Sequence, residues 1–95
     1  MLTGKQRAAL RKQANSIPAL YQIGKEGITE NIIKQLDDAL EARELIKIHI
    51  LESALLDTRE AADKLAEMLN AEPVQAIGSK AVLFRQSEKN PKIII

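Results

Sequence analysis

The 95-residue chain contains no cysteine, which excludes a disulfide framework, a thiolate zinc site and a cysteine nucleophile. Aromatic residues are nearly absent as well, because Tyr21 and Phe84 are the only two. Proteins that stack successive unpaired bases need several exposed rings, so this chain lacks such a platform. No apolar run approaches the ~20 residues that span a bilayer, and residues 1–7 lack the apolar segment of a signal peptide. These absences predict a cytoplasmic protein without a membrane partner.

The residues that are present predict one small globular domain over 1–95. Hydrophobic residues make up 45% of the chain and charged residues 28%, which is ordinary for a soluble domain. The net charge of +1 conceals a segregation: residues 1–27 carry +4, residues 28–72 carry −6 and residues 73–95 carry +3. If the two basic ends meet in the fold, one face is positive although the molecule is nearly neutral. Ordinary solvated surface charge explains the segregation equally well.

A first helix is predicted over 3–14, where Leu10, Ala14 and Ile17 recur at helical spacing. Thr3 is its expected N-cap, because a threonine hydroxyl accepts a hydrogen bond from an unpaired backbone N–H. Four basic side chains lie away from the apolar stripe and give the helix a cationic outer face: Lys5, Arg7, Arg11 and Lys12.

The rest of the chain alternates between strand and helix patterns. The strand Leu45–Ile50 is the clearest, because its isoleucines point to one face and Lys47 and His49 to the other. The other predicted elements are a strand at 19–23, helices at 30–42 and 58–69, and a hairpin of 74–77 with 81–84. This α-β-α-β-α-β-β order predicts a single compact α/β domain with a four-stranded mixed sheet packed with helices. Residues 86–95 are expected to form a flexible tail or an edge strand.

Gly24-Lys25-Glu26-Gly27 stands between a predicted strand and a predicted helix. Glycines allow close approach of another backbone, and a helix N-terminus offers unpaired N–H groups to an anion. Lys25 adds a positive charge, whereas Glu26 opposes it. Loops of the form Gly-x-x-Gly bind the RNA backbone in KH domains. Taken alone, an ordinary two-glycine turn is the more frequent interpretation.

No combination of residues predicts catalysis, a metal site or a cofactor. His49 is the only histidine and has no neighbouring ligand motif, so a structural role is the more frequent interpretation. The serines lack a nucleophile-elbow context, and no P-loop is present. Lys47 is either an ordinary solvent-facing residue or a contact for RNA, if its face of the sheet is open.

Several separated blocks of the sequence resemble the CRM domain (chloroplast RNA splicing and ribosome maturation), in its stand-alone bacterial YhbY-like form. The resemblance covers nearly the whole chain. The matching blocks are Leu2-Thr3, Lys5-Gln6-Arg7, Leu10, Ile23-Gly24, Gly27-Ile28-Thr29, Ala39-Leu40, Glu44-Leu45-Ile46-Lys47-Ile48, Val74-Gln75, Ile77-Gly78 and Val82-Leu83-Phe84-Arg85.

The resemblance implies a fold similar to the C-terminal domain of translation initiation factor three. It also implies an RNA-binding protein associated with precursors of the large ribosomal subunit. Residues 24–27 correspond to the family's loop, and the basic residues of the first helix to part of its RNA-facing surface. The chain departs from the family at Glu26, which makes the loop less cationic, and at Phe84, where tyrosine is common.

The leading hypothesis is therefore a non-enzymatic ribosome assembly factor, ribosome-associated in the cytoplasm, that binds large-subunit ribosomal RNA or pre-ribosomal particles. Ribosomal proteins are further candidate partners, whereas DNA is not expected. The alternative is a protein-interaction module that docks a basic ribosomal protein through the acidic helices predicted at 30–42 and 58–69, and Asp37, Asp38 and Glu41 are the residues whose reversal tests it. The expected RNA-binding residues are Lys5, Arg7, Arg11, Lys12, Gly24, Lys25, Glu26, Gly27, Lys47, Lys80 and Arg85.

Overall fold

A computed structural model of the chain describes residues 2–93. The predicted α-β-α-β-α-β-β order is confirmed, with one additional 3₁₀ turn at Glu52–Ala54 that the sequence patterns did not indicate. The strand that was predicted at 19–23 begins only at Tyr21, and the first strand of the hairpin begins two residues earlier than expected. The elements are α1 (Gly4–Ala14), β1 (Tyr21–Ile23), α2 (Glu30–Arg43), β2 (Leu45–Ile50), α3 (Thr58–Leu69), β3 (Glu72–Ile77) and β4 (Lys80–Phe84).

Each long helix begins at a side chain that accepts a hydrogen bond from its first turn. Thr3 forms a full capping box with Gln6 at the start of α1. The Thr29 hydroxyl accepts from the Ile32 N–H at 3.2 Å at the start of α2. Asp57 caps α3 in the same way. Because such caps satisfy backbone donors that have no partner within the helix, they fix where each helix begins.

The four strands form one mixed sheet in the order β1-β2-β4-β3. β1 pairs with β2 in parallel, and the other two pairings are antiparallel. The predicted four-stranded mixed sheet is therefore confirmed. β1 and β3 are the edge strands, and β3 carries Pro73, which has no N–H to offer at an edge. No helix within residues 2–93 combines the length and the apolar character needed to cross a membrane.

The two faces of the sheet pack against different helices. On one face, Ile46, Ile48 and Ile50 of β2 are buried against α2 and α3, as their alternation predicts. The helical side chains that complete this core include Leu36, Leu40, Leu65 and Leu69. Complete burial of one such side chain stabilises the fold by about 1.5–3 kcal/mol.

The opposite face packs against α1 through a smaller core. Leu10 and Ala14 of α1 are completely buried and belong to one cluster with Leu45, Val82 and Phe84. β3 contributes to this cluster through an irregularity of pairing between Pro73 and Gln75. A bulge of this kind inserts an extra residue, here Val74, whose side chain is buried in the same cluster.

The tail after β4 is attached to the C-terminal end of α2 by two glutamates. Within the described part, residues 86–93 form no strand, and Ile94 and Ile95 lie outside the described residues. The completely buried carboxylate of Glu44 accepts hydrogen bonds from the backbone N–H groups of Ser87, Lys92 and Ile93, each at 2.7 Å. Glu41 accepts from the Ser87 hydroxyl at 2.5 Å. The tail is therefore bonded to the body of the domain.

These contacts set the ionisation of both carboxylates. Burial raises the pKa of Glu44, but the N–H groups of Ser87, Ile93 and Lys92 outweigh it, so the pKa is lowered overall. The pKa of Glu41 is lowered chiefly by the hydrogen bond from the Ser87 hydroxyl, with help from the N–H groups of Glu88 and Lys89. Both groups are therefore carboxylates at neutral pH.

Glu44 also has a positive φ of 67°, which residues other than glycine rarely adopt. Replacing Glu44 by Ala removes the acceptor shared by three N–H groups, so we expect the free energy of unfolding to fall by about 3 kcal/mol. Glu44→Gly loses the same carboxylate but relieves the backbone strain, so its loss should be about 1 kcal/mol smaller. Urea unfolding measures the free energy of unfolding of both variants. Equal losses in the two would contradict a contribution from backbone strain at Glu44.

Attachment of the tail should depend on pH. The pKa values of Glu41 and Glu44 are both lowered from 4.5 in the folded protein. The stabilisation of the folded state by these two carboxylates is therefore fully present above pH 4.5, and it is lost as the pH falls through their pKa values in the folded state. NMR chemical shifts of the Ser87 and Lys92 amides should follow this titration. The Ile32 amide bonds to a hydroxyl and should not. Tail amide shifts that stay constant down to acid unfolding would contradict the account.

Candidate nucleic-acid interface

The glycine loop connects β1 to α2 at the carboxyl end of the parallel strand pair. The N–H of Gly27 donates to the carbonyl of Gly24 at 2.8 Å, which closes a tight turn. Gly27 has φ of 71°, a conformation that glycine adopts without strain. Gly24 packs so closely that a Cβ atom there would lie 3.3 Å from the Leu51 side chain. The two glycines are therefore required for different purposes. Gly27 adopts the positive φ of the turn, and Gly24 lets the loop pack on the segment after β2.

A groove lies between this loop and the first turns of α2. Its volume is about 320 Å³, and its polar walls include Gln22, Thr29, Asn31 and Gln35. The side chains of Lys25 and Glu26 are exposed at the loop itself. The positive end of the α2 macrodipole and the unpaired N–H groups of its first turn favour an anion here. This arrangement suits a phosphate group, although Glu26 reduces the positive potential.

The face of the sheet that carries α1 is covered only in part. Residues paired across neighbouring strands share a face, and one such row runs Gln22, His49, Lys80, Ile77 across all four strands. Lys47 points to the same side two residues earlier in β2. None of these side chains is buried, and Ile77 is 63% exposed. We call this area the open sheet surface; it comprises Gln22, Lys47, His49, Gln75, Ile77 and Lys80.

The open sheet surface joins the glycine loop to α1. Gln22 also lines the groove beside the loop, while Gln75 and Ile77 line a second groove together with Arg7 and Arg11 of α1. The row from Gln22 to Ile77 crosses three inter-strand spacings, or about 14 Å. Lys47 and Lys80 therefore lie on the sheet face between the glycine loop and the arginines of α1.

The cationic outer face predicted for α1 divides into two parts. At about 100° per residue, Arg7 and Arg11 lie on one flank of the helix, and Lys5 and Lys12 lie on the side opposite Leu10. The Arg7 Nε donates to the carbonyl of Pro73 at 3.3 Å, which draws this flank toward the sheet. Lys5 and Lys12 are exposed and line none of the grooves described above. The structure thus brings the two arginines, but not the two lysines, to the open sheet surface.

Comparison with known proteins identifies the family. Residues 2–85 match the CRS1 / YhbY (CRM) domain. The chain belongs to the CRM-domain family. It is 42% identical over 93 residues to the Probable RNA-binding protein YqeI of Bacillus subtilis, covering 98% of this chain and 97% of that protein. It is also 42% identical over 89 residues to the Probable RNA-binding protein MJ0652 of Methanocaldococcus jannaschii, covering 92% of this chain and 66% of that protein.

A solved structure shares the fold. The solution structure of SAV1595 from Staphylococcus aureus matches with a TM-score of 0.84 and 50% sequence identity, over 100% of this chain and 99% of that one. The CRM family and the α/β fold that the sequence blocks predicted are therefore both confirmed.

Two of the predicted site residues outside the loop and α1 lie on the open sheet surface of this CRM domain, namely Lys47 and Lys80. Arg85 does not, because it lies just beyond β4, at the strand end opposite Lys80. Its side chain is only 20% exposed and forms an ion pair with Asp37, with 2.7 Å between Nη1 and Oδ1. It also donates to the carbonyls of Leu69 and Asp37. Arg85 therefore links α2 to α3, and we remove it from the candidate interface.

Sequence reasoning missed the polar neighbours of these lysines. Gln22, His49 and Gln75 share the open sheet surface with Lys47 and Lys80. The alternation within β2 already put His49 on the side of Lys47, but only the strand register, which pairs His49 with Lys80 and Gln22, adds the residues of the other strands. Within residues 2–93, no group of three or more histidines and carboxylates could bind a metal.

The different settings of Arg85 and Lys80 give a prediction about stability. Arg85→Gln removes an ion pair and two carbonyl contacts at a largely buried site, so we expect the free energy of unfolding to fall by about 2 kcal/mol. Lys80→Gln makes the same change of charge on the open sheet surface and should change it by less than about 0.5 kcal/mol. Urea unfolding of the two variants measures both effects. Similar losses for the two would contradict this distinction.

Proposed function

We propose that this CRM-domain protein binds RNA, and that its target is large-subunit ribosomal RNA during assembly of the subunit in the cytoplasm. The carrying observation is the set of basic residues, here called the cationic path, that runs from Lys25 in the glycine loop past Lys47 and Lys80 on the sheet to Arg7 and Arg11. The curated relatives YqeI and MJ0652 carry the name of probable RNA-binding proteins, which supports the RNA class. The role in assembly of the large ribosomal subunit is the more specific part of the proposal, and it is based on the family resemblance.

Binding in this proposal depends on the RNA backbone. The backbone N–H groups of the loop and of the α2 N-terminus bind one phosphate, and the lysines and arginines neutralise other phosphates along the sheet. Stacking contributes little, because Phe84 is buried in the smaller core under α1 and Tyr21 packs partly against the core that contacts α2 and α3. Glutamines and His49 on the open sheet surface can hydrogen-bond to sugar hydroxyls or base edges. Recognition should therefore follow RNA shape more than sequence.

Two of the three acidic residues that suggested docking of a basic protein are engaged within the domain. Asp37 pairs with Arg85, and Glu41 accepts hydrogen bonds from the tail. Asp38 has only an exposed pair with Lys34 at 3.7 Å. The contacts of Asp37 and Glu41 give this part of the α2 surface a structural role, so we favour the RNA hypothesis over the docking alternative.

A double charge reversal at the two ends of the path tests this function. Arg11→Glu with Lys25→Glu should remove two phosphate contacts, and the slope of log K against log salt should become less steep by about 1.5. The probe is a labelled large-subunit ribosomal RNA fragment, titrated between low and physiological salt. A control with the same charge change, Lys34→Glu with Lys64→Glu, alters exposed lysines off the path and should retain the wild-type slope.

The outcomes separate the two parts of the proposal. If the wild type does not bind the fragment, or both double variants lose affinity equally, the cationic path is not the RNA site. For the assembly role, the wild type should co-sediment with large-subunit precursor particles in cell lysates and the Arg11, Lys25 variant should not. Binding to RNA without such co-sedimentation would contradict the assembly role alone.

A further inference from the structure

A groove along the free edge of β3 is lined by arginines from both sides of the sheet. Arg7 and Arg11 of α1 form one wall, and Arg59 of α3 belongs to the other. The groove has a volume of about 390 Å³, and its floor is the strand segment 73–77. No carboxylate lines it among the residues that the structure describes. The groove therefore brings three guanidinium groups together without a carboxylate in its lining.

Two contacts place these arginines at the edge. The hydrogen bond from Arg7 to the Pro73 carbonyl fixes the α1 side. On the other side, the Thr58 hydroxyl donates to the carbonyl of Gly78 at 2.7 Å, which ties the start of α3 to the β3–β4 turn. Arg59 is the next residue after Thr58 and so lies beside the Ile77 end of β3. Its position is a consequence of tertiary contact and has no signature in the local sequence.

Arg59 is available for a ligand. Its ion pair with Asp63 is 3.6 Å long, and both side chains are largely exposed at 73% and 55%. Exposed pairs of this kind contribute about 0.2–1 kcal/mol, so a phosphate can replace the carboxylate at little cost. Arginine is also well suited to phosphate, because its planar guanidinium donates two parallel hydrogen bonds to two oxygens.

The edge of β3 is better suited to phosphates than to an added peptide strand. Strand addition needs a regular row of free N–H and C=O groups. Here Pro73 has no N–H, the pairing is irregular between Pro73 and Gln75, and Arg7 occupies the Pro73 carbonyl. Proline, bulges and charged side chains are the features that prevent edge pairing. The same features leave the guanidinium groups as the main binding elements of the groove.

We propose that the β3-edge groove is a second phosphate-binding site, in which Arg59 and the α1 arginines bind the backbone of the same RNA that lies on the open sheet surface. This inference rests on the proposed function and extends it. Gln75 and Ile77 belong to both surfaces, so an RNA strand can pass from one to the other without a break. The RNA then contacts both sides of the sheet around its β3 edge.

The test compares Arg59→Gln with Lys34→Gln. Each variant removes one exposed cation from an i,i+4 ion pair on a helix, Arg59 with Asp63 and Lys34 with Asp38, so the effects on folding are matched. Lys34 is off the RNA path. With the labelled large-subunit RNA fragment, Arg59→Gln should bind about two- to fivefold more weakly, the range of one exposed ion pair. Its salt slope should be less steep by about 0.7–0.9, corresponding to one phosphate.

Lys34→Gln should match the wild type in both quantities, and Arg59→Lys should keep most of the salt slope because it keeps the charge. If the wild type binds RNA and Arg59→Gln behaves like Lys34→Gln, the second site is overturned while the proposed function stands. If the wild type itself does not bind RNA, the proposed function fails and this site fails with it.

Discussion

The pairing of β2 within the sheet is the constraint on which the rest of the structure depends. Its alternating residues send Ile46, Ile48 and Ile50 into the core with α2 and α3, and send Lys47 and His49 to the other face. A register slip of one residue would exchange these faces, burying a lysine and exposing three isoleucines. Because β1 and β4 take their register from β2, the same constraint aligns Gln22, His49 and Lys80 in one row. Core and interface are thus two consequences of one pairing.

The partial cover by α1 explains why an interface exists at all. The helix buries only the end of the sheet that carries Leu45 and Phe84, through the small core around Leu10. The remaining half of this face is bounded by the α1 arginines at one end and the glycine loop at the other. The carboxylates at the far end of α2 bind the tail and Arg85 instead. Asp37, Glu41 and Glu44 are therefore used internally, and basic groups remain along the path.

Local patterns predicted the elements but only part of the interface. The isoleucine alternation in β2 and the cap at Thr3 are local signals, and both predictions are confirmed. The bonds from Glu44 to the tail and from Arg85 to Asp37 join residues more than 40 positions apart, and no spacing rule reaches that far. Helical periodicity alone separates Arg7 and Arg11 from Lys5 and Lys12, but which of the two sets faces the sheet depends on how α1 is docked. The sequence showed which residues were basic, but only the packing showed which of them share a surface.

The most direct test of the central claim is an NMR titration of the protein with a large-subunit ribosomal RNA fragment, following every backbone amide. The account predicts that the largest chemical-shift changes occur in the glycine loop, along the row from Gln22 to Ile77, and on the arginine flank of α1. The amides around Asp37 and Glu41 and those of the tail should change little. Changes concentrated on that acidic end, with none along the row, would contradict the account.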